Sequence, residues 1–95
     1  MKTEQLTEVF VKQVGARKDG HAYLVPSESE ASLFVALEGE TLTIARVTRL
    51  EVSDAMLSVD TAKGERFVLA AEDVRAVKID RGENIRRERS AGFGK

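Results

Sequence analysis

Few side chains in this sequence are of a type and spacing that could do chemistry. His21 is the single histidine and the chain has no cysteine, so the sequence predicts neither a histidine- or cysteine-based metal site nor a thiolate nucleophile. We expect His21 to be an exposed turn residue. Glu72 and Asp73 are adjacent carboxylates in a short segment between apolar runs, where capping of a turn is far more common than general acid–base catalysis.

Glycine-rich binding loops are also missing from the sequence. The segments around Gly15, Gly20 and Gly64 lack the spacing of a phosphate-binding P-loop and of the dinucleotide-binding fingerprint. With one tyrosine and no tryptophan, aromatic platforms on which bases could stack are scarce. We therefore predict a protein that is not an enzyme, with no cofactor, no metal site and no small-molecule substrate.

Charge is distributed unevenly along the 95 residues. The formal net charge is −1, but residues 1–80 carry −4 and residues 81–95 carry +3. The basic end is predicted to be a flexible tail. Its candidate contacts to phosphates or to an acidic partner are Arg81, Arg86, Arg87, Arg89 and Lys95, with Phe93 as a stacking or pocket anchor. A solvated terminus without a partner is the alternative.

The sequence favours a cytoplasmic protein without a membrane partner. No apolar run approaches the roughly 20 residues that span a bilayer. The first ten residues, MKTEQLTEVF, lack the apolar segment of a signal peptide. The absence of cysteine is consistent with a reducing compartment.

The elements that must position any site begin with a helix over residues 3–14. One stripe of this helix holds Leu6, Val9, Phe10 and Val14, with Thr3 as the predicted cap and Gly15 as the end. We expect this helix to cover the sheet, with a dimer or partner helix as the alternative. Residues 16–20 are predicted to be a polar turn. Residues 22–25 are predicted to form an edge strand, because Pro26 follows them. Residues 27–38 allow a helix or a strand, and their alternation favours a strand.

A β-meander over residues 41–79 is the clearest pattern in the chain. Its apolar pairs recur between turn residues, as Leu42/Ile44, Leu50/Val52, Leu57/Val59, Phe67/Leu69 and Val77/Ile79. Val47 breaks the parity shared by Leu42, Ile44 and Leu50, so a bulge or sharp bend is predicted within residues 45–48. Arg46 and Arg49 lie near this bend. They could contact a partner or line a groove, although exposed charges that discourage edge pairing are the commoner role.

The predicted core combines one helical stripe with the inward positions of the strands. Its members are Leu6, Val9, Phe10, Leu33, Val35, Leu37, Leu42, Ile44, Leu50, Val52, Leu57, Val59, Phe67, Leu69, Val74, Val77 and Ile79. The domain boundaries that follow are a helix over residues 1–15, a small β-barrel over residues 16–80 and a basic tail over residues 81–95. One modest core is consistent with a chain of this length.

From Leu33 to Ile79 the pattern resembles that of Sm-like small barrels. The shared features are an N-terminal helix, a strand ending in Leu37-Glu38-Gly39, a bent second strand, a hairpin through Asp54 and Met56, and a closing Val74-Arg75-Ala76-Val77. SH3-like barrels have a similar pattern. The resemblance implies a mainly β fold: a small five- or six-stranded antiparallel barrel or roll with a bent strand and an N-terminal α-helix. The nucleotide-binding positions of the Sm family correspond to Leu57-Ser58 and Ala70-Ala71, which depart from its motifs, so no site is carried over.

Two functions are consistent with these observations. The first is a non-enzymatic protein-interaction or assembly module that self-associates through a strand edge or its helix, with a regulatory or scaffolding role. The second is a nucleic-acid-associated regulatory module that binds RNA or DNA phosphates through the basic tail, helped by Arg46 and Arg49.

Overall fold

The computed structural model describes residues 1–80. The chain begins with helix α1, Thr3–Val9, which widens into a π-helical turn over Phe10–Val14. Gly15 ends it with a φ of 84°, a left-handed conformation that glycine adopts without strain, as predicted. The predicted cap is wrong, because the N-cap position is Lys2 and no side chain caps the helix.

Most of the remaining described residues lie in strands. These are β1 (Arg17–Asp19), β2 (Ala22–Leu24), β3 (Glu30–Leu37), β4 (Glu40–Ile44), β5 (Val47–Ser53), β6 (Met56–Thr61), β7 (Arg66–Ala70) and β8 (Val74–Asp80). A 3₁₀ turn, Ala71–Asp73, joins β7 to β8.

The strands form two antiparallel sheets. The first has the order β1-β2-β5-β6-β7 and the second the order β4-β3-β8. The mainly β class, the antiparallel pairing and the N-terminal helix are therefore as predicted. Eight strands form within residues 1–80 instead of five or six, because residues 17–19 form β1 instead of a polar turn and the predicted bent strand is divided into β4 and β5. With β1 and β5 on either side, β2 is not the predicted edge strand.

The predicted bend lies between β4 and β5 and carries the chain from the second sheet to the first. Arg46 has a φ of 57° there. Directly after it, Val47 pairs with Thr61 and Arg49 with Asp60, so Thr48 is the extra residue of a bulge. Because a bulge reverses the parity of the side chains, Val47 and Leu50 both lie in the core.

Residues 27–38, for which the sequence allows a helix or a strand, contain strand β3, the central strand of the second sheet. Leu33 pairs with Ile44 of β4 on one side and with Val77 of β8 on the other. The alternating residues Ala31, Leu33 and Val35 are buried on its inner face. The strand reading of residues 27–38 is thus confirmed for Glu30–Leu37.

One hydrophobic core lies between the sheets and the helix. Nine predicted members are buried: Leu6, Phe10, Leu33, Val35, Ile44, Leu50, Leu57, Val59 and Val74. Six others pack against the core while only partly buried, namely Leu42, Val52, Phe67, Leu69, Val77 and Ile79. Val9 is also only partly buried. The prediction that Leu37 belongs to the core is wrong, since its side chain is 42% exposed.

The helix packs on the sheets as predicted, because Leu6 and Phe10 are fully buried within the core cluster. The start of the chain is held to the 3₁₀ turn. The Met1 ammonium donates hydrogen bonds to the carbonyl oxygens of Ala71 at 3.0 Å, Glu72 at 3.2 Å and Val74 at 2.9 Å.

Candidate functional site

The edge strands of a small β domain are the strands that can pair with another chain, because their outward N–H and C=O groups lack a partner in the sheet. Within residues 1–80, the sheet order places β1 and β7 at the edges of the first sheet and β4 and β8 at the edges of the second. The four edges differ in how well their sequences discourage pairing with another strand.

Three edges carry features that oppose pairing. β1 is short, and Arg17, Lys18 and Asp19 are all exposed charges. β8 is interrupted by a bulge where it pairs with β3, and its Lys78 and Asp80 form an ion pair at 3.8 Å. β4 begins with the exposed Glu40 and stops at the bend. Short length, charge and irregularity are the usual means of protecting an edge.

The edge of β7 is different. Its pairing with β6 is regular from Asp60↔Arg66 to Met56↔Ala70, with no bulge. Val68 is 65% exposed on the outer face, and Phe67 and Leu69 are only partly buried on the inner face. Among the described edge strands, β7 alone combines a regular backbone with three consecutive large apolar side chains. A strand of this kind is suited to pairing with another strand.

The one charged residue of β7 is already paired. Arg66 donates to both carboxylate oxygens of Asp60, with Nε to Oδ1 at 2.6 Å and Nη2 to Oδ2 at 3.1 Å. This hydrogen bond is the main reason that the pKa of Asp60 lies below its ordinary value, and the same contact raises the pKa of Arg66. The guanidinium is held back over β6, so β7 presents no unbalanced charge at its edge.

Arg49, one of the predicted contact residues, belongs to the same group of charges. Its guanidinium lies 3.1 Å from Glu51 and 3.8 Å from Asp60. Because two carboxylates share this cation, Arg49 contributes little positive potential toward a partner.

Arg46, the other predicted contact in the body of the chain, is exposed at the rim of a cleft of about 300 Å³. The cleft lies between the segment before β3 and the bend, and is lined by Val25, Pro26, Ser27, Ser29, Glu30, Arg46, Val47, Thr48 and Ala62. Within residues 1–80 Arg46 makes no ion pair. Its main chain is fixed, because its carbonyl oxygen accepts from the amide of Ala62 at 2.9 Å.

The remaining predicted site residues lie outside the described part of the chain: Arg81, Arg86, Arg87, Arg89, Phe93 and Lys95. His21 is exposed beside β2, as expected, and Glu72 and Asp73 lie on the 3₁₀ turn. In the portion that the structure describes, no group of three or more acidic, histidine or cysteine side chains could hold a metal ion. That portion also has no helix long and apolar enough to cross a bilayer.

Val68 and Asp60 were missed by sequence reasoning. The uninterrupted run Phe67-Val68-Leu69 was the available signal, since a strand with one exposed face should alternate apolar with polar residues. No comparable signal identifies Asp60, because its two arginine partners are set by strand register.

Comparison of the chain with protein-family models, with curated proteins and with solved structures gives no match. The function is therefore argued from the geometry of the strand edges and the charges around them.

Proposed function

We propose that this protein is a non-enzymatic interaction and assembly module that self-associates through an open strand edge and has a regulatory or scaffolding role. The observation that carries the proposal is the β7 edge, a regularly paired strand on which Val68 is 65% exposed and the one charged residue, Arg66, is paired with Asp60. Strand addition at such an edge satisfies main-chain groups and buries apolar side chains together.

The architecture supports the same proposal. We infer an open form of the Sm-like or SH3-like small barrel, in which the chain passes between the two sheets in the β2–β3 segment, at the β4–β5 bend and at the 3₁₀ turn between β7 and β8. Phe67 and Leu69 of β7 and Val77 and Ile79 of β8 are only partly buried. Apolar side chains left at the margins of both sheets favour association over a lone monomer.

Sedimentation velocity on the full chain over a wide concentration range tests the proposal. We expect a defined oligomer whose population increases with concentration and persists at high salt, because apolar contacts and main-chain hydrogen bonds are screened little. A chain that stays monomeric at every concentration would contradict self-association.

Nucleic-acid binding is the second candidate, and the exposed guanidinium of Arg46 favours it. The net charge of −4 over residues 1–80 opposes it everywhere except near the basic tail. Five tail cations predict a plot of log affinity against log salt with a slope no steeper than about −4.5.

Titration of labelled single-stranded RNA with the full chain tests this second candidate. Replacing Arg86, Arg87 and Arg89 by serine should reduce both the affinity and the salt slope. Replacing Lys2, Lys12 and Lys63 by serine is the matched control, which removes the same charge elsewhere. An affinity that does not depend on salt would exclude the second candidate.

A further inference from the structure

The orientation of the β7 main chain defines which of its groups are available to a partner. At one end of the β6–β7 ladder, the amide of Ala71 donates to the carbonyl oxygen of Ala55 at 2.8 Å. At the other end, the amide of Thr61 donates to the carbonyl oxygen of Glu65 at 2.9 Å. Antiparallel pairs alternate between bonded and non-bonded. Phe67 and Leu69 therefore bond to β6, and Arg66, Val68 and Ala70 direct their N–H and C=O groups outward.

We propose that two copies of this chain pair antiparallel along β7, with Val68 on the two-fold axis. This inference rests on the proposed self-association and names its edge, its partner and its register. Centring the pair on Val68 places Val68 opposite its own copy and Arg66 opposite Ala70 of the second copy. All outward groups of the strand are then bonded, in about six hydrogen bonds, whereas a shift of one residue leaves some without a partner.

The side chains are self-complementary in this register. On the outer face the exposed Val68 meets its own copy, and the small Ala70 lies opposite Arg66, so no like charges oppose each other. On the inner face Phe67 lies opposite Leu69 of the second copy, twice, in the more closely spaced non-bonded pairs. These partly buried side chains gain the neighbour that the edge of the monomer lacks.

Two of the other edges, those of β8 and β1, do not offer an equivalent symmetric arrangement. Centring β8 on Val77 places Ile79 opposite Arg75, and centring it on Lys78 sets two lysines against each other. β1 consists of three charged residues and has no apolar side chain to bury. An isologous dimer is therefore built more favourably from β7 than from β8 or β1.

Substitution at the two-fold axis is the first test, on the full chain. Val68→Lys sets two ammonium groups against each other and should weaken dimerisation at least about tenfold. Because Val68 is 65% exposed, the monomer should retain its circular dichroism spectrum. Val11→Lys is the matched control, since Val11 is a 44% exposed valine on the helical segment. Dimerisation should be unchanged in this control.

Cysteine pairing tests the register itself in a chain that has no natural cysteine. Val68→Cys alone should oxidise to a covalent dimer much faster than Val11→Cys. A mixture of Arg66→Cys and Ala70→Cys chains should also cross-link, because opposed bonded residues have Cα atoms about 5.5 Å apart. Each of these two variants alone should not, because its own copies would lie about 14 Å apart along the strand.

The possible results separate the two proposals. A monomeric wild-type chain overturns both the proposed function and the β7 dimer. A wild-type oligomer that Val68→Lys leaves intact overturns the β7 edge while self-association stands. An oligomer that Val68→Lys dissociates, but whose cysteine variants cross-link in another pattern, overturns the Val68-centred register.

Discussion

The bend between β4 and β5 makes a sharp prediction about two adjacent residues. Arg46 holds a φ of 57°, a conformation that costs a side-chain-bearing L-residue roughly 1–2 kcal/mol and glycine nothing comparable. Ala45 is not among the residues with positive φ. Glycine should therefore stabilise the fold at Arg46 and destabilise it at Ala45.

The comparison that isolates the backbone is Arg46→Gly against Arg46→Ala, because both variants lack the guanidinium. Glycine also lowers the unfolding free energy by about 0.5–1 kcal/mol, because it gives the unfolded chain more conformational freedom. The net advantage of Arg46→Gly is then about 0.5–1 kcal/mol. Ala45→Gly has no strain to relieve and should lose about 0.5–1 kcal/mol relative to wild type.

Urea unfolding of the four proteins, followed by circular dichroism, measures these free energies directly. In a domain of this size a difference of 1 kcal/mol moves the melting temperature by about 4–8 °C, so thermal scans give an independent reading. The bend would be refuted by an Arg46→Gly variant no more stable than Arg46→Ala, or by Ala45→Gly being the more stabilising of the two glycine substitutions.

Two further predictions follow from burial and from charge. Leu33→Ala should cost about 2–5 kcal/mol of unfolding free energy, whereas Leu37→Ala on the same strand should cost less than about 1 kcal/mol, because Leu33 is fully buried and Leu37 is 42% exposed. Equal costs in urea unfolding would contradict this core. Arg66→Met should raise the pKa of Asp60 toward its ordinary 3.8, since the hydrogen bond from Arg66 is the main cause of the lowered value. Because that pKa is depressed in the folded state, the pair stabilises the fold above about pH 4 and stops doing so as the pH falls through the lowered value. The stability difference between wild type and Arg66→Met should therefore shrink in acid, and an unchanged Asp60 titration by carboxyl NMR would refute the assignment.

The parts of the fold that sequence predicted are those set by local periodicity. The parity change at Val47 indicated the bend, because a straight strand cannot bury Ile44, Val47 and Leu50 together. The same alternation predicts that Leu37 is buried in the core, and this prediction is wrong. Leu37 is 42% exposed because it lies beyond the pair Val35↔Val74, where the β3–β8 ladder stops.

The parts that sequence could not predict depend on strands meeting across the chain. Arg17–Asp19 has no apolar side chain and becomes a strand only through its backbone pairing with β2. Arg49 and Asp60 come together through the register of β5 and β6, which the bulge shifts. Val68 lies on an edge because β7 is the last strand of the first sheet, and strand order is likewise not set by local sequence. The apolar run around Val68 can be seen in the sequence.

Amide hydrogen exchange at the β7 edge, measured by NMR at increasing concentrations of the full chain, tests the central claim most directly. Within residues 1–80 of the monomer, the amides of Arg66, Val68 and Ala70 have no partner strand, while the amide of Leu69 bonds to β6. Self-association through this edge predicts that the three outward amides become protected as concentration increases, with Leu69 protected throughout. Exchange of all three at the rate of an unstructured peptide, at concentrations where the chain is oligomeric, would contradict it.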